Sequence, residues 1–109
     1  MVILITPWLF RKQFIGMALY PFILLKRKEY IMNHYIINHE TIHLKQQKEL
    51  FIIFFYILYG LEYICRLFQY KFNFYTAYKN ISFEREAYKN EQNLNYTRER
   101  KPYNFIKYI

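Results

Sequence analysis

The run His39-Glu40-Thr41-Ile42-His43 constrains this chain more than any other feature, because two histidines four residues apart fall on one face of a helix. Around it, Ile36, Ile37, Ile42 and Leu44 alternate with Asn38, Glu40, Lys45 and Lys48 at the helical period. That pattern predicts an amphipathic helix from about His34 to Lys48, with one polar, histidine-bearing side. On such a helix the two imidazoles lie nearly one above the other, so both can reach a single Zn²⁺ at about 2.0 to 2.1 Å. Glu40 stands about 100° further round, beside the ion, where its carboxylate can take a proton from an activated water as that water attacks a carbonyl. A catalytic zinc takes three protein ligands and keeps one position open, so a third ligand has to come from elsewhere. His34 lies about 140° round the helix from His39 and points off that face. The acids further along are Glu49, Glu62, Glu84, Glu86, Glu91 and Glu99. Glu84 and Glu86 open a separate predicted helix on different faces, so at most one of them can comfortably be the ligand.

The rest of the chain supplies the scaffold. Its 109 residues, 54% hydrophobic and 23% aromatic with only 2 Gly and 3 Pro, argue against disorder and fit one domain over residues 1–109 with one core. Val2 to Thr6, closed by Pro7, and Met17 to Leu25, interrupted by Pro21, are short enough for strands. Pro21 lacks a ladder donor, which places its strand at a sheet edge. Lys26 to Asn33 reads as a polar turn. Leu50 to Leu61 carries no charge and its apolar character runs on to Phe68, which reads as a long core helix with Phe51, Phe54, Phe55, Tyr56 and Tyr59 inside. Glu62 and Arg66 follow in the favoured acid-first order for a helical pair. After a connection over Gln69 to Lys79, Ser82 is the predicted N-cap of a helix over Glu84 to Leu94, and Asn95 to Ile109 an irregular arm. The expected fold is α+β and mainly helical: short N-terminal strands packed on a zinc-binding helix, a long apolar helix and a third, ligand-bearing helix.

His-Glu-x-x-His at 39–43 followed by Glu84-Arg85-Glu86-Ala87-Tyr88 on a later helix resembles the gluzincin zinc metallopeptidases, particularly their smallest single-domain versions and their helical membrane-linked relatives. In many gluzincins the later helix reads glutamate, two residues, alanine, aspartate; the glutamate binds zinc and the aspartate steadies a ligand histidine. Glu84 and Ala87 match that pattern. Tyr88 stands where the aspartate would be, and a phenol is a weaker partner for an imidazole. Over most of the chain, the arrangement of Tyr20 to Leu25, Asn38 to Gln47 and Phe83 to Tyr88 also resembles a group of small uncharacterised bacterial proteins. The resemblance implies a minimal zincin-like hydrolase acting on a peptide or protein substrate. His39, His43 and Glu84 would hold zinc, with Glu86 the alternative to Glu84, and Glu40 would be the general base. It also implies an edge strand near the zinc helix that holds the substrate backbone, for which Met17 to Leu25 is the candidate. A Tyr or His would stabilise the oxyanion, and 13 tyrosines single none out.

A formal charge of +8 favours acidic partners. The basic residues are scattered, with small clusters at Lys26 to Lys28 and Arg98 to Lys101, and no helix is lined with them as nucleic-acid reading would need. Cys65 stands alone, so it forms no internal disulfide and reads as a small buried apolar residue. Met1 to Pro7 has no basic lead and no small-residue cleavage signal, so the expected residence is the cytoplasm, with the apolar Leu50 to Phe68 leaving room for peripheral contact with anionic lipid. The competing reading is a non-catalytic zinc-binding or membrane-peripheral interaction module.

Overall fold

Short β-prone runs near the N-terminus pair into one sheet, and most of the other described residues are helical. The computed structural model describes residues 2–10 and 14–109; Met1, the first residue of the Met1 to Pro7 stretch read for a cleavage signal, lies outside them. Strands β1 (Val2–Ile5), β2 (Gly16–Leu19) and β3 (Phe22–Leu25) lie in the order β1-β3-β2, with β1 parallel and β2 antiparallel to β3. The run expected as a single strand over Met17 to Leu25 is therefore two. Tyr20 and Pro21 make the turn between them, where a missing N–H costs the ladder nothing. This overturns the edge placement of Pro21's strand: the strand after Pro21 is the central one, and β2 is an edge.

Five helices follow: α1 (His34–Glu49), α2 (Ile53–Gln69), α3 (Phe74–Lys79), α4 (Ser82–Asn90) and α5 (Tyr96–Glu99), with a 3-10 turn at Asn104–Tyr108. The molecule is thus α+β and mainly helical. Asn33 caps α1, its Oδ1 accepting from the amides of Tyr35 and Ile36 at 3.0 and 3.2 Å. The polar side of α1 faces inward. Asn38, His39, Glu40, His43, Gln46 and Gln47 are all buried, while Lys45 and Lys48 are exposed. Ile42 and Leu44 pack to either side of that polar strip, Leu44 with Ala18, Ile23 and Leu25 of the sheet, Ile42 with Ala87 and Tyr96.

At the end of α1 the chain turns by 112° into α2. Phe51 and Ile52 sit at φ 55° and 66° in this corner, a region that a β-branched residue enters only at a cost. α2 then lies over α4 with one side only. Phe55 is its one buried residue and joins Ile81, Phe83 and Phe105 in a small core, with Tyr59 half-buried against it. The expected burial of Phe51, Phe54 and Tyr56 is overturned, as is that of Cys65: all are exposed, Phe51 in the corner before α2, Tyr56 beside the cavity that faces β2, and Phe54 and Cys65 on a side of α2 that no described element covers. Among the described residues no single helix is long and apolar enough to cross a membrane.

The expected connection over Gln69 to Lys79 contains α3, and α4 begins at Ser82 and stops at Asn90, short of Leu94. Ser82 is not its cap. Ile81 precedes the helix, and both the amide and the hydroxyl of Ser82 donate to the Glu62 carboxylate at 2.6 Å. Glu62, which also pairs with Arg66 at 3.3 Å, thus places a negative charge at the positive end of α4 from a neighbouring helix. The arm expected after Asn95 is two short helical turns: α5 packs against α1, and the Asn104–Tyr108 turn folds back on α4, where Arg85 donates to the Tyr108 carbonyl at 2.9 Å.

Candidate metal centre

α1 and α4 cross so that three buried side chains meet. Glu84 Oε1 lies 2.9 Å from His43 Nε2 and 3.3 Å from His39 Nε2, and the two Nε2 atoms are 3.3 Å apart. One donor atom from each of His39, His43 and Glu84 falls within 4.8 Å of the others, a group able to hold a metal ion. His34, on the first turn of α1, is exposed and takes no part.

The far side of each ring decides what this cluster can do. Gln46 Nε2 donates to the Phe83 carbonyl at 3.1 Å and to Glu86 Oε1 at 2.9 Å, which fixes the direction of the amide. Its Oε1, 2.8 Å from His43 Nδ1, can therefore only accept, so the Nδ1 of His43 carries a proton. His39 Nδ1 lies 3.1 Å from a carboxylate oxygen of Glu91, which can also only accept when ionised. With both Nδ1 atoms committed as donors, two Nε2 lone pairs and a carboxylate oxygen face one another, and only a shared cation, a proton or a metal, reconciles them. A buried set of two imidazoles and one carboxylate suits zinc.

In the absence of a metal that cation is a proton. Burial alone lowers the pKa of His39, but hydrogen bonds to Glu84 and Glu91 outweigh it and push it up to about 10. His43 is moved the same way, burial opposing and the Glu84 charge prevailing. Burial also opposes the charge on Glu84, yet the two histidines hold its carboxyl well below the usual range. Glu40 behaves differently. It is buried one residue from His39, and desolvation raises its pKa despite the histidines nearby. Its carboxylate reaches β2: a Cβ on Gly16 would stand 3.2 Å from Glu40 Oε2 and 3.1 Å from Leu25 Cδ2, so any larger residue there would press on the Glu40 and Leu25 side chains.

A cavity of about 400 Å³ opens on this group between β2 and α2. Glu40, His43 and Glu84 form its polar end, and Phe14, Met17, Phe55 and Tyr59 are among the residues of its apolar walls. A second cavity of about 190 Å³ meets His39 and Glu40 from the other side, beside Tyr88 and Glu91. The free edge of β2 borders the larger cavity but is short. Gln47 accepts from the Tyr20 amide at 2.7 Å and donates to the Ala18 carbonyl at 2.9 Å, closing that end. Since ladder groups alternate along a strand, the Gly16 carbonyl and the Ala18 amide remain on the free edge. Of the stretch expected to hold a substrate backbone, Met17 to Leu25, only this first part borders the cavity as an edge.

Of the residues read from the sequence, His39, Glu40, His43 and Glu84 come together, and Glu86 does not join them. It is fully buried on another face of α4, where Arg100, Tyr96 and Gln46 take both of its oxygens at 2.6 to 3.2 Å. Tyr88 stacks edge-on against the His39 ring at 4.5 Å and directs its hydroxyl to Tyr78, so it contributes packing in place of the aspartate's hydrogen bond. Glu91 supplies that bond instead. Sequence reasoning missed it, although it stands seven residues, about two turns, beyond Glu84 and so on the same face. Gln46, one turn beyond His43, and Tyr59, whose hydroxyl donates to Glu84 Oε2 at 2.7 Å, were missed as well. Compared with known proteins, the chain matches no family model, no curated protein and no solved structure.

Proposed function

We propose that this chain is a zinc-dependent metallopeptidase of minimal, gluzincin-like build, with His39, His43 and Glu84 as ligands and Glu40 as general base. The observation that carries this reading is the convergence of both Nε2 atoms and Glu84 Oε1 while each Nδ1 is engaged behind, by Glu91 and by Gln46. When bound, zinc would bring the pKa of a coordinated water to about 7 and polarise a substrate carbonyl.

The protein's own groups supply the rest. Glu40 borders both cavities, and its raised pKa makes it a stronger base than a solvated carboxylate, suited to taking a proton from the attacking water and passing it to the leaving nitrogen. Tyr59 stays a phenol, because burial and the Glu84 charge hold its pKa up, so its hydroxyl keeps donating to Glu84 and steadies that ligand carboxylate. An extended peptide can add to the edge of β2 through Gly16 and Ala18, with Gln47 limiting how far it pairs. The mostly apolar cavity then takes one side chain and keeps bulk water from the reacting bond.

Hydrolysis of a mixed set of fluorogenic peptides by the zinc-loaded protein, measured for wild type and Glu40→Gln, tests the assignment. The variant should retain zinc and lose roughly 10²- to 10⁴-fold in rate. Zinc-loaded wild type without hydrolytic activity, or equal rates in the two proteins, would refute it.

A further inference from the structure

The outward side of α2 is a continuous apolar surface on which none of the described residues is laid. At 100° per residue, its exposed residues from Ile53 to Phe68 fall largely within an arc of about 140°, bounded by Ile53 and Leu58 with Phe54, Ile57, Leu61 and Phe68 across the middle. These six are 42% to 69% exposed. The arc is wider than the narrow seam by which one helix zips to another. At about 25 Å, the helix is also shorter than the roughly 30 Å needed to cross a bilayer.

The charges around this face are one-sided. Of the 8 acidic residues, Glu40, Glu84 and Glu86 are buried, and Glu49, Glu62 and Glu91 are tied to Arg100, Arg66 and His39. Glu29 and Glu99 are left, against 16 Lys and Arg, of which only Arg66 and Arg100 form ion pairs among the described residues. Exposed Lys45 and Lys48 precede α2 in the chain and exposed Lys71 follows it, so cations flank the apolar helix in sequence on both sides. The one acid on α2, Glu62, lies outside the arc and is occupied by Ser82 and Arg66. Across the larger cavity from α2, the Pro7–Leu9 turn adds Trp8, 76% exposed, a side chain that favours the boundary between water and lipid.

An apolar face wide enough to lie in a membrane and bordered by unpaired cations matches an anionic lipid surface. We infer that α2 is an interfacial helix that seats this protein on an anionic bilayer, its Ile53–Phe68 arc in the acyl boundary and Lys45, Lys48 and Lys71 among the headgroups. This inference stands apart from the metal centre and holds whether or not the chain cleaves peptides.

The one cysteine, Cys65, is exposed on the same arc and provides a reporter. With a bimane dye on Cys65, the protein is mixed with vesicles of equimolar phosphatidylglycerol and phosphatidylcholine, or of phosphatidylcholine alone, and floated on a density gradient. Flotation and a blue-shifted dye with the anionic vesicles, weakened by added salt and weak with the neutral ones, are expected. Phe54→Ser with Leu61→Ser should lower partitioning roughly tenfold or more while leaving the circular dichroism spectrum intact, since both side chains are exposed. Failure to float with anionic vesicles would overturn the proposal. So would a lipid-free dimer that shifts the dye and is dissolved by the same two substitutions, since the face would then belong to a second copy of the chain.

Discussion

Replacing Arg100 by methionine should destabilise the fold more than any other single change on the C-terminal segment. The Arg100 side chain is 3% exposed and that of Glu86 0%, and the two are joined at 2.8 Å; the same guanidinium holds Glu49 at 2.6 Å. Methionine keeps most of the stem volume and removes the charge, so a carboxylate with no access to water loses its cation. Breaking a buried pair in this way costs about 3 to 5 kcal/mol, a large share of the roughly 5 to 15 kcal/mol typical of a domain. For a chain this short, the midpoint of thermal unfolding should fall by on the order of 10 to 30 °C. Urea unfolding followed by circular dichroism at pH 7, on metal-free protein, measures the loss. Adding Glu86→Gln should recover part of it by removing the stranded charge. The pH dependence has a definite sign. Burial opposes the Glu86 charge, but Arg100, Tyr96 and Gln46 hold its pKa down, so its contribution is present above the unfolded value of 4.5 and is lost as pH falls through the folded one. A loss below about 1 kcal/mol for Arg100→Met, the range of an exposed pair, would refute this account of Glu86.

Glu91→Ala should weaken zinc binding roughly 10- to 100-fold in a competition titration, because His39 loses the group that orients its ring. Tyr88→Phe should leave the affinity unchanged, and the reverse ranking would show that the phenol, not Glu91, supports His39. Zinc binding should also release protons. Metal-free His39, with its pKa pushed up to about 10, is charged at pH 7 and must be neutral to ligate. The stabilisation it draws from Glu84 and Glu91 is full below 6.5 and lost as pH rises through about 10; zinc competes with the same proton, so its affinity should climb as pH rises toward about 10. Calorimetry in two buffers of different ionisation enthalpy should give different heats, and equal heats would contradict it.

The metal centre was legible to the extent that it rests on helical constants. Four residues bring His39 and His43 into register on any α-helix, and Glu84 stands in the first turn of α4, a helix separate from α1. The partners behind the rings were harder to see. Glu91 matters because α4 and the turn after it carry the face of Glu84 past His39, and Glu86 was set aside only when Arg100 folded back from a tail with no periodicity of its own. The α2 residues misled for a simple reason: an apolar run states that a surface avoids water, not what covers it. Phe55 met Phe83 and Phe105, while Phe54, its neighbour in sequence, stayed 57% exposed. Pro21 misled because a proline between two apolar runs fits an edge strand and a hairpin turn equally well, and only pairing across β2 and β3 tells them apart.

Zinc content per folded chain, measured by plasma emission after dialysis against metal-free buffer, bears most directly on whether His39, His43 and Glu84 hold one ion. One zinc per chain is expected in wild type and in His34→Ala, whose side chain is exposed and off the site, with far less in folded His39→Ala and Glu84→Ala. Wild type that holds no stoichiometric zinc, or variants that hold as much as wild type, would contradict it.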